Sequence, residues 1–313
     1  MSAMKTREAK RSTEGNEGVV GRDVPIAPWK RKATDRWGPA TQAAKQLRPG
    51  FPRFLPSFSL FASVKILLVL VAFATCAQAQ ETNSLGMKMV AVPGTKVLMA
   101  TTEVTVDEYR AAGLGYQAPE FAQGGNHPAV NVSWNDAQKY VKWLSKKEGK
   151  KYRLPTDREW SCAVGIGGME SAGGSPESKS GKVADVYPWG RGKPSGRAGN
   201  YFGQEWNNAA GVAAGKAFGM RAGWTLIPGY NDGVLFTAPV GSYTPNNLGI
   251  YDLGGNVWEW CEDEYLPSET DRVLRGGSWL DDDRDDLLSS YRNCLIPEGR
   301  NSSRGFRVVC ESR

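Results

Sequence analysis

The chain has 313 residues, of which 40% are hydrophobic, and a formal net charge of +6. This length suits one large domain or two ordinary ones. The positive charge lies at the N-terminal end, because residues 1–80 hold 13 Lys or Arg and 5 Asp or Glu, whereas the later residues hold 26 and 28. The part beyond residue 80 is slightly acidic, which excludes the charge signature of a nucleic-acid-binding protein.

The N-terminal region has the composition of a leader. Residues 1–50 are polar and basic and have no apolar periodicity. They predict a disordered segment, because they offer too little apolar surface to fold alone. Residues 51–80 contain an apolar run that follows Lys65 and ends in the small residues Ala77 and Ala79. This pattern is typical of a signal peptide cleaved after Ala79.

An uncleaved membrane anchor over 58–77 is the alternative, since that run approaches the length needed to span a bilayer. Both interpretations predict that 81–313 is exported to the periplasm, the cell surface or the medium. The cysteines agree with export, because an even number remains after the leader and allows two disulfides in three possible pairings. No two of them form a CxxC motif, which argues against a zinc ribbon. They are Cys162, Cys261, Cys294 and Cys310.

The first elements after the leader are a hairpin and a short helix. Apolar residues alternate with others over 87–99 around a Pro-Gly turn, which predicts two antiparallel strands. Thr105, with Glu108 three residues later, has the pattern of a capping box and predicts the start of a helix. Gly113 is the expected end of that helix.

Two further helices follow in the sequence. Ser133 or Asn135 is expected to cap an amphipathic helix that ends at Gly149. Thr156 and Glu159 repeat the capping-box pattern and predict a third helix.

Regular structure is then expected to decline. Over 165–231 glycine and small residues dominate, the apolar periodicity disappears, and 203–229 has the composition of an insertion. The run GFRVVC at 305–310 predicts a closing strand. Two early helices followed by loops and short strands indicate an α+β domain with little regular structure.

The stretch GIYDLGGNVWEWC, residues 249–261, is the most informative part of the sequence. It begins as a short strand-like run and meets a double glycine, whose conformational freedom lets main-chain carbonyls approach a ligand. Asp252 and Glu259 supply hard oxygen atoms on either side of the glycines, which suggests a calcium site. A tight hairpin with a tryptophan-rich core is the alternative.

Seven motifs occur in an order that resembles the formylglycine-generating enzyme family, the sulfatase-modifying factor domain. They are HPAVNVSW, RLPTDREW, YPWG, TAPVGSY, GIYDLGGNVWEW, RGGSW and GFRVV, and they extend over about residues 83–312. The resemblance implies a loop-rich variant of the C-type lectin fold.

The resemblance also implies two structural calcium sites. Each pairs side-chain oxygens with main-chain carbonyls, the donors that calcium prefers. The first maps onto Asp252, the carbonyls of Gly255 and Val257, and Glu259. The second maps onto Asn200, the carbonyl of Tyr201, Asp232 and the carbonyl of Val234. The same resemblance implies that Cys162 pairs with Cys310 and Cys261 with Cys294.

The family's catalytic residues do not transfer to this chain. Aerobic members oxidise a substrate cysteine to formylglycine with copper held by two cysteines after GGS. Here those positions are Asp281 and Asp286. Copper(I) prefers thiolates to carboxylates, so copper is not expected. Ser278 remains at its family position, and without the metal ligands it is expected to be a structural hydroxyl, so no catalytic residue is assigned.

Histidine counting excludes a second chemistry. A relative with the same fold binds a non-haem iron through three histidines, whereas this chain has one, His127. A single histidine before proline in an extended segment predicts a structural role.

The run LDDDRDD is the most unusual local feature. It places five aspartates after RGGSW and is either a solvated loop or the acidic edge of a substrate groove. An acidic groove favours a basic peptide, a cation or another calcium ion. The aspartates are Asp281, Asp282, Asp283, Asp285 and Asp286.

Three functions follow from these observations. The first is an exported, calcium-stabilised binding or accessory module that has lost oxidase chemistry, with a protein or peptide partner such as a sulfatase. The second is an active formylglycine-generating oxidase with rearranged ligands. The third is a lectin-like binder of a glycan or peptide, for which exposed aromatic residues would matter. Because the copper-binding cysteines are replaced, the first hypothesis ranks above the second.

Overall fold

The structure is a computed structural model that describes residues 80–219, 225–267 and 269–312. The predicted disordered leader and the signal peptide or anchor lie outside the described residues, apart from Gln80. Within the described ranges, no helix is long and apolar enough to cross a membrane.

The larger of two sheets has five strands in the order β1-β2-β3-β9-β4. The predicted hairpin is confirmed, since β2 and β3 pair antiparallel with Met89 opposite Ala100. The C-terminal strand β9 lies between β3 and β4, so the chain end closes the sheet. The strands are β1 (Gln80–Thr82), β2 (Lys88–Ala91), β3 (Val97–Ala100), β4 (Tyr152–Arg153) and β9 (Val309–Glu311).

The smaller sheet has four strands in the order β7-β6-β5-β8. The β5–β6 pair is antiparallel with an irregularity between Trp260 and Glu264, and β5 pairs parallel with β8. The strands are β5 (Trp258–Glu264), β6 (Arg272–Arg275), β7 (Asn293–Leu295) and β8 (Arg304–Gly305).

The three early helices begin at the predicted caps. The side chains of Thr105, Ser133 and Thr156 each accept a hydrogen bond from the backbone N–H three residues on, and each cap is a full capping box. Of the two proposed caps for the second helix, Ser133 is the correct one. Gly149 ends that helix in the left-handed conformation. The helices are α1 (Val106–Arg110), α2 (Trp134–Glu148) and α3 (Asp157–Ala163).

The region expected to be irregular contains short helices. It holds α4 (Pro176–Lys179), a 3₁₀ helix (Gln204–Asn207) and α5 (Ala209–Ala217). Glycine is a poor helix former, so the glycines of α5 do not predict a helix. Gly211 lies so close to the Trp206 backbone that a side chain at this position would collide with it. Glycine is used there for close packing.

Two other strand predictions need correction. The run 305–310 is not one strand, because β8 ends at Gly305 and β9 begins at Val309. The strand-like start at 249–252 has no regular secondary structure, and the strand begins only at Trp258. In both places main-chain groups bind residues outside a ladder: the Phe306 carbonyl accepts from the Val104 N–H, and the Tyr251 N–H donates to the Thr101 carbonyl.

The two faces of the larger sheet support different core clusters. Leu98 and Cys310 face a cluster that includes α2, whereas Val97 and Val309 face a cluster that includes Trp160 of α3. This alternation follows from the period of two along a strand. The α+β, loop-rich architecture is confirmed.

The cysteines do not form the predicted pairs in this structure, in which all four are free thiols. Cys310 belongs to the cluster on the α2 side of the sheet, whereas Cys162 packs on the other side. Cys261 packs in the second cluster beside Val273, which is the cross-strand partner of Cys294. Cys162 and Cys310 therefore lie on opposite faces of the larger sheet. Strand β6 separates Cys261 from Cys294.

Candidate functional site

The turn before β5 is held by unusual backbone conformations. Asp252 and Asn256 have positive φ angles of 54° and 59°, which asparagine and aspartate tolerate better than other side chains. The Gly255 N–H donates to the Gly276 carbonyl at 3.0 Å, so this turn is tied to the RGGSW motif. Gly255 also lies against the Asn200 carbonyl, where a side chain would collide.

Asn256 connects this turn to two distant segments. Its backbone N–H donates to the Asn200 carbonyl at 2.8 Å, and its side-chain Oδ1 accepts from the Ala238 N–H at 2.9 Å. Its Nδ2 donates to Glu103 at 3.2 Å. All of these residues are buried. Neither Glu103 nor Asn256 was identified from the sequence, because their importance depends on contacts between segments far apart in the chain.

In the first predicted calcium set, Arg307 partly neutralises the negative charge of Glu259. Oδ2 of Asp252 accepts from the Gly241 N–H at 2.7 Å, whereas buried Oδ1 has no hydrogen-bond partner among the described residues. Burial raises the pKa of Asp252 to about 6. Glu259 receives two hydrogen bonds from Arg307 and one from the Trp160 indole. Asp252 therefore fits a cation better than Glu259 does.

The second predicted set lies where the insertion begins and ends. Asp232 accepts from the N–H groups of Tyr201 and Val234, both at 2.9 Å, so this carboxylate ties the loops together. Asn200 is fully buried, and its Oδ1 has no hydrogen-bond partner in the described part of the chain. Burial and the nearby Glu205 raise the pKa of Asp232 to about 7. One buried oxygen of Glu205 also lacks a partner.

Both sets offer only oxygen donors, including buried ones without partners, and this donor chemistry fits calcium. Each set contains just two acidic or amide side chains and otherwise depends on main-chain carbonyls. In keeping with this, the described residues contain no group of three or more His, Cys, Asp or Glu arranged to hold a metal. The geometry thus brings together Asn200 with Asp232, and Asp252 with Glu259.

The residues at the family's copper positions are engaged with protein groups. Asp281 accepts from the N–H of Ser278 at 2.9 Å and from its hydroxyl at 2.6 Å. Burial raises the pKa of Asp281. Asp286 contacts the hydroxyl of Tyr291, and burial together with Asp286 and Asp281 raises the pKa of that tyrosine. The structure therefore places both carboxylates beside Tyr291 and provides no thiol at either position.

The histidine has a partner elsewhere. His127 Nδ1 lies 3.1 Å from the hydroxyl of Thr237, and burial lowers the pKa of the imidazole. Ser278 donates its hydroxyl proton to Asp281 instead of to an imidazole. This geometry does not form a Ser-His-Asp triad.

The acidic run is not a solvated loop throughout. Asp282 is 5% exposed and accepts from the hydroxyl of Thr225. Asp283 accepts from the Asp285 N–H at 3.1 Å, and Asp285 itself is exposed. Asp285 is exposed whereas Asp282 is buried, so the run is not uniformly solvated.

A cleft of about 480 Å³ lies beside this run. Its walls carry acidic, basic and aromatic side chains, which makes it a polar cleft suited to a charged ligand. Arg284 crosses the cleft and donates to the hydroxyl of Tyr187 at 2.6 Å and to Asp185. The lining residues include Asp185, Tyr187, Arg284, Asp285 and Tyr291. Since Tyr291 also contacts Asp286, the cleft adjoins the family's copper position.

The insertion covers the RGGSW motif on its other side. Trp206 stacks on Trp279 with ring centroids 6.0 Å apart, and Phe218 meets the same indole edge-on at 5.5 Å. Phe236 adds a further edge contact at 5.3 Å. These aromatic contacts fix Trp279, and with it the neighbouring Ser278.

The fold and site together define a loop-rich α+β domain built around a glycine turn with buried oxygen donors. Its chain matches the family model described as the sulfatase-modifying factor enzyme 1-like domain over residues 72–312. The chain belongs to that family.

Relatives support this assignment. The chain is 30% identical over 247 residues to the formylglycine-generating enzyme of Thermomonospora curvata, covering 70% of this chain and 69% of that protein. It is 32% identical over 222 residues to the formylglycine-generating enzyme of Streptomyces coelicolor, covering 63% and 58%. It is also 37% identical over 158 residues to the inactive C-alpha-formylglycine-generating enzyme 2 of Mus musculus, covering 49% and 38%.

A solved structure shares the fold. PvdO from Pseudomonas aeruginosa superposes with a TM-score of 0.53 at 23% identity, covering 75% of this chain and 98% of that one. This similarity shows the architecture alone.

Proposed function

We propose that this chain is an exported, calcium-stabilised member of the family that works as a binding or accessory module and does not oxidise cysteine with copper. The observation that carries the proposal is the pair Asp281 and Asp286 at the family's copper positions. Carboxylates are poor ligands for copper(I). Moreover, Asp281 is already bound by Ser278, and Asp286 contacts Tyr291.

The relatives give this loss of activity a precedent. The mouse relative is named an inactive C-alpha-formylglycine-generating enzyme 2, whereas the two bacterial relatives are named formylglycine-generating enzymes. Because the chain spans only part of each relative, the relatives' own activity is not transferred to it.

Calcium would stabilise the loops that carry the site. One ion would be held by Asp252, the carbonyls of Gly255 and Val257, and Glu259. The other would be held by Asn200, the carbonyl of Tyr201, Asp232 and the carbonyl of Val234. A cation at either position supplies charge compensation for a buried carboxylate and closes a loop, which lowers the conformational entropy that folding must overcome.

The partner we propose is a basic peptide, for which a segment of a sulfatase is one source. The cleft beside Tyr291 carries Asp185 and Asp285 against one arginine, and Asp286 adjoins it. A guanidinium or ammonium group would be attracted by these carboxylates.

The test is calorimetric titration of the exported domain with two synthetic peptides that differ only by Arg or Gln at one position. We expect the Arg peptide to bind more tightly, and the double variant D185N/D285N to bind it about tenfold more weakly because rim charges are lost. The matched control is E120Q/E177Q, which removes two exposed carboxylates outside the cleft. Equal affinity for both peptides would overturn the proposal. Calcium-dependent binding of a glycan in place of the peptide would also overturn it.

A further inference from the structure

The two candidate calcium sites are joined by a buried chain of polar side chains. Glu103, Asn256 and Asn200 are each 0% exposed. Asn256 Nδ2 donates to Oε2 of Glu103 at 3.2 Å, and Asn256 Oδ1 accepts from Asn200 Nδ2 at 3.2 Å. These side chains thus link the segment after β3 to the glycine turn and to the start of the insertion.

Backbone groups fix which way each amide points. The Ala238 N–H can only donate, and it faces Asn256 Oδ1 at 2.9 Å. Asn256 Nδ2 must then point the opposite way, where Oε2 of Glu103 accepts from it. The Ala238 carbonyl can only accept, and it accepts from the same Nδ2 at 3.4 Å, so Glu103 and Ala238 together hold Asn256 in this orientation.

The same argument fixes Asn200. The Phe236 carbonyl can only accept, and Asn200 Nδ2 donates to it at 2.6 Å as well as to Asn256. The amide oxygen of Asn200 is therefore the atom left without a partner, buried in the second candidate site. Asn256 also binds the Asn200 carbonyl with its backbone N–H, so both ends of Asn200 depend on Asn256.

The first site is reached through the other end of the chain. Asn256 belongs to the same turn as Asp252, only four positions away. Asn256 also lies between Gly255 and Val257, whose carbonyls belong to the first candidate set. The turn that carries the first set therefore also carries the amide that orients Asn200 in the second.

We propose that Glu103 and Asn256 are positioning residues that aim Asn200 Oδ1 at calcium and couple the two calcium sites. This inference rests on the calcium binding proposed above. Neither residue needs to touch the ion. Partners of metal ligands commonly change affinity about 10- to 100-fold when they are altered.

The test is calorimetric calcium titration of the chelator-treated protein, with thermal unfolding in EGTA as a check of folding. N256D keeps the size and the tolerance for positive φ but cannot donate to Glu103. We expect its calcium affinity to fall about tenfold or more at both sites. E103Q retains an oxygen that accepts from Asn256, so we expect it to remain within about threefold of the wild type, whereas E103L resembles N256D.

Asn246 offers a matched control. It lies ten residues before Asn256, and its Oδ1 accepts from the N–H groups of Leu248 and Ile250, without a link to Asn200. N246D should leave the calcium affinity unchanged.

The outcomes separate the two claims. A wild type that binds no calcium overturns the proposed calcium role and this inference together. A wild type that binds calcium while N256D matches N246D in affinity overturns only the positioning role. A lower unfolding temperature of N256D in EGTA with unchanged calcium affinity also overturns it, because the residue would then be merely structural.

Discussion

Two buried charged regions of this domain differ in how their charges are balanced. In the first, Asp157 accepts from Arg275 and Arg292, and Arg292 also forms hydrogen bonds with both oxygens of Glu170. The second region lies around Asn200, Asp252 and Glu103, and there the acidic side chains outnumber the arginines. Four buried oxygens there lack partners within the described part of the chain: Glu103 Oε1, Asn200 Oδ1, Glu205 Oε2 and Asp252 Oδ1.

The two regions differ in whether their buried charges are balanced within the protein. The first region joins α3, β6 and the loop before β7 through ion pairs that are complete within the protein. A buried charge that keeps all its hydrogen bonds is tolerated, whereas an unpartnered one is costly. The second region leaves buried oxygen atoms without hydrogen-bond partners among the described residues, and a bound cation would stabilise them.

The largest expected effect is the loss of the balanced network. D157N leaves two buried guanidinium groups short of a counter-charge, so we expect the free energy of unfolding to fall by about 3–5 kcal/mol. Urea denaturation should give the same loss in calcium and in EGTA. D185N, which alters an ion pair at the surface, is the control and should change stability by less than about 1 kcal/mol. If the loss of stability in D157N depended on calcium, the first region would not be balanced independently of the ion.

The same network has a predicted pH dependence. Burial opposes ionisation of Asp157, but Arg275 and Arg292 outweigh it and hold its pKa below the ordinary value of 3.8. Its stabilisation is therefore fully present above that ordinary value and is lost as the pH falls through the lower folded pKa. Acid titration of the unfolding free energy should show a loss in this range that D157N lacks, and equal acid sensitivity of the two proteins would contradict the assignment.

Removal of calcium comes next in size. A ligand at about 100 times its Kd stabilises the folded state by about 2.7 kcal/mol per site. We expect EGTA to lower the unfolding temperature of the wild type, and D232N to remove part of that difference. An unfolding temperature that does not depend on calcium would mean that the second region is stable without an ion.

The smallest expected effect on stability is the loss of a helix cap. S133A removes the side-chain acceptor that caps α2, which should cost about 1 kcal/mol. The loss should be equal with and without calcium, because the cap lies on neither charged region. A helix-cap loss that varied with calcium would show that calcium acts on the whole fold.

The sequence was informative where the determining contacts are local. Thr105, Ser133 and Thr156 cap their helices through residues three positions away, so the pattern is visible in any short window. Glu103 could not be identified in this way, because its partner Asn256 is 153 positions away. The helix α5 was missed because the abundance of glycine over 165–231 suggested loops, and the packing of Gly211 against Trp206 is visible only once α5 is placed.

The cysteines show the same limit. Their even number and the family resemblance suggested two disulfides. The number of cysteines does not predict on which face of a sheet each side chain lies. Cys310 and Cys162 pack in different core clusters, so the predicted pair is not formed in this structure.

We expect the domain to lack copper-dependent oxidation, because Asp281 and Asp286 stand at the family's copper positions. This is tested by incubation of the domain with copper and a peptide that bears a CxPxR motif, followed by mass spectrometry of the peptide. We expect an unchanged peptide mass. A mass loss that marks conversion of cysteine to formylglycine, abolished in D281N/D286N, would contradict it.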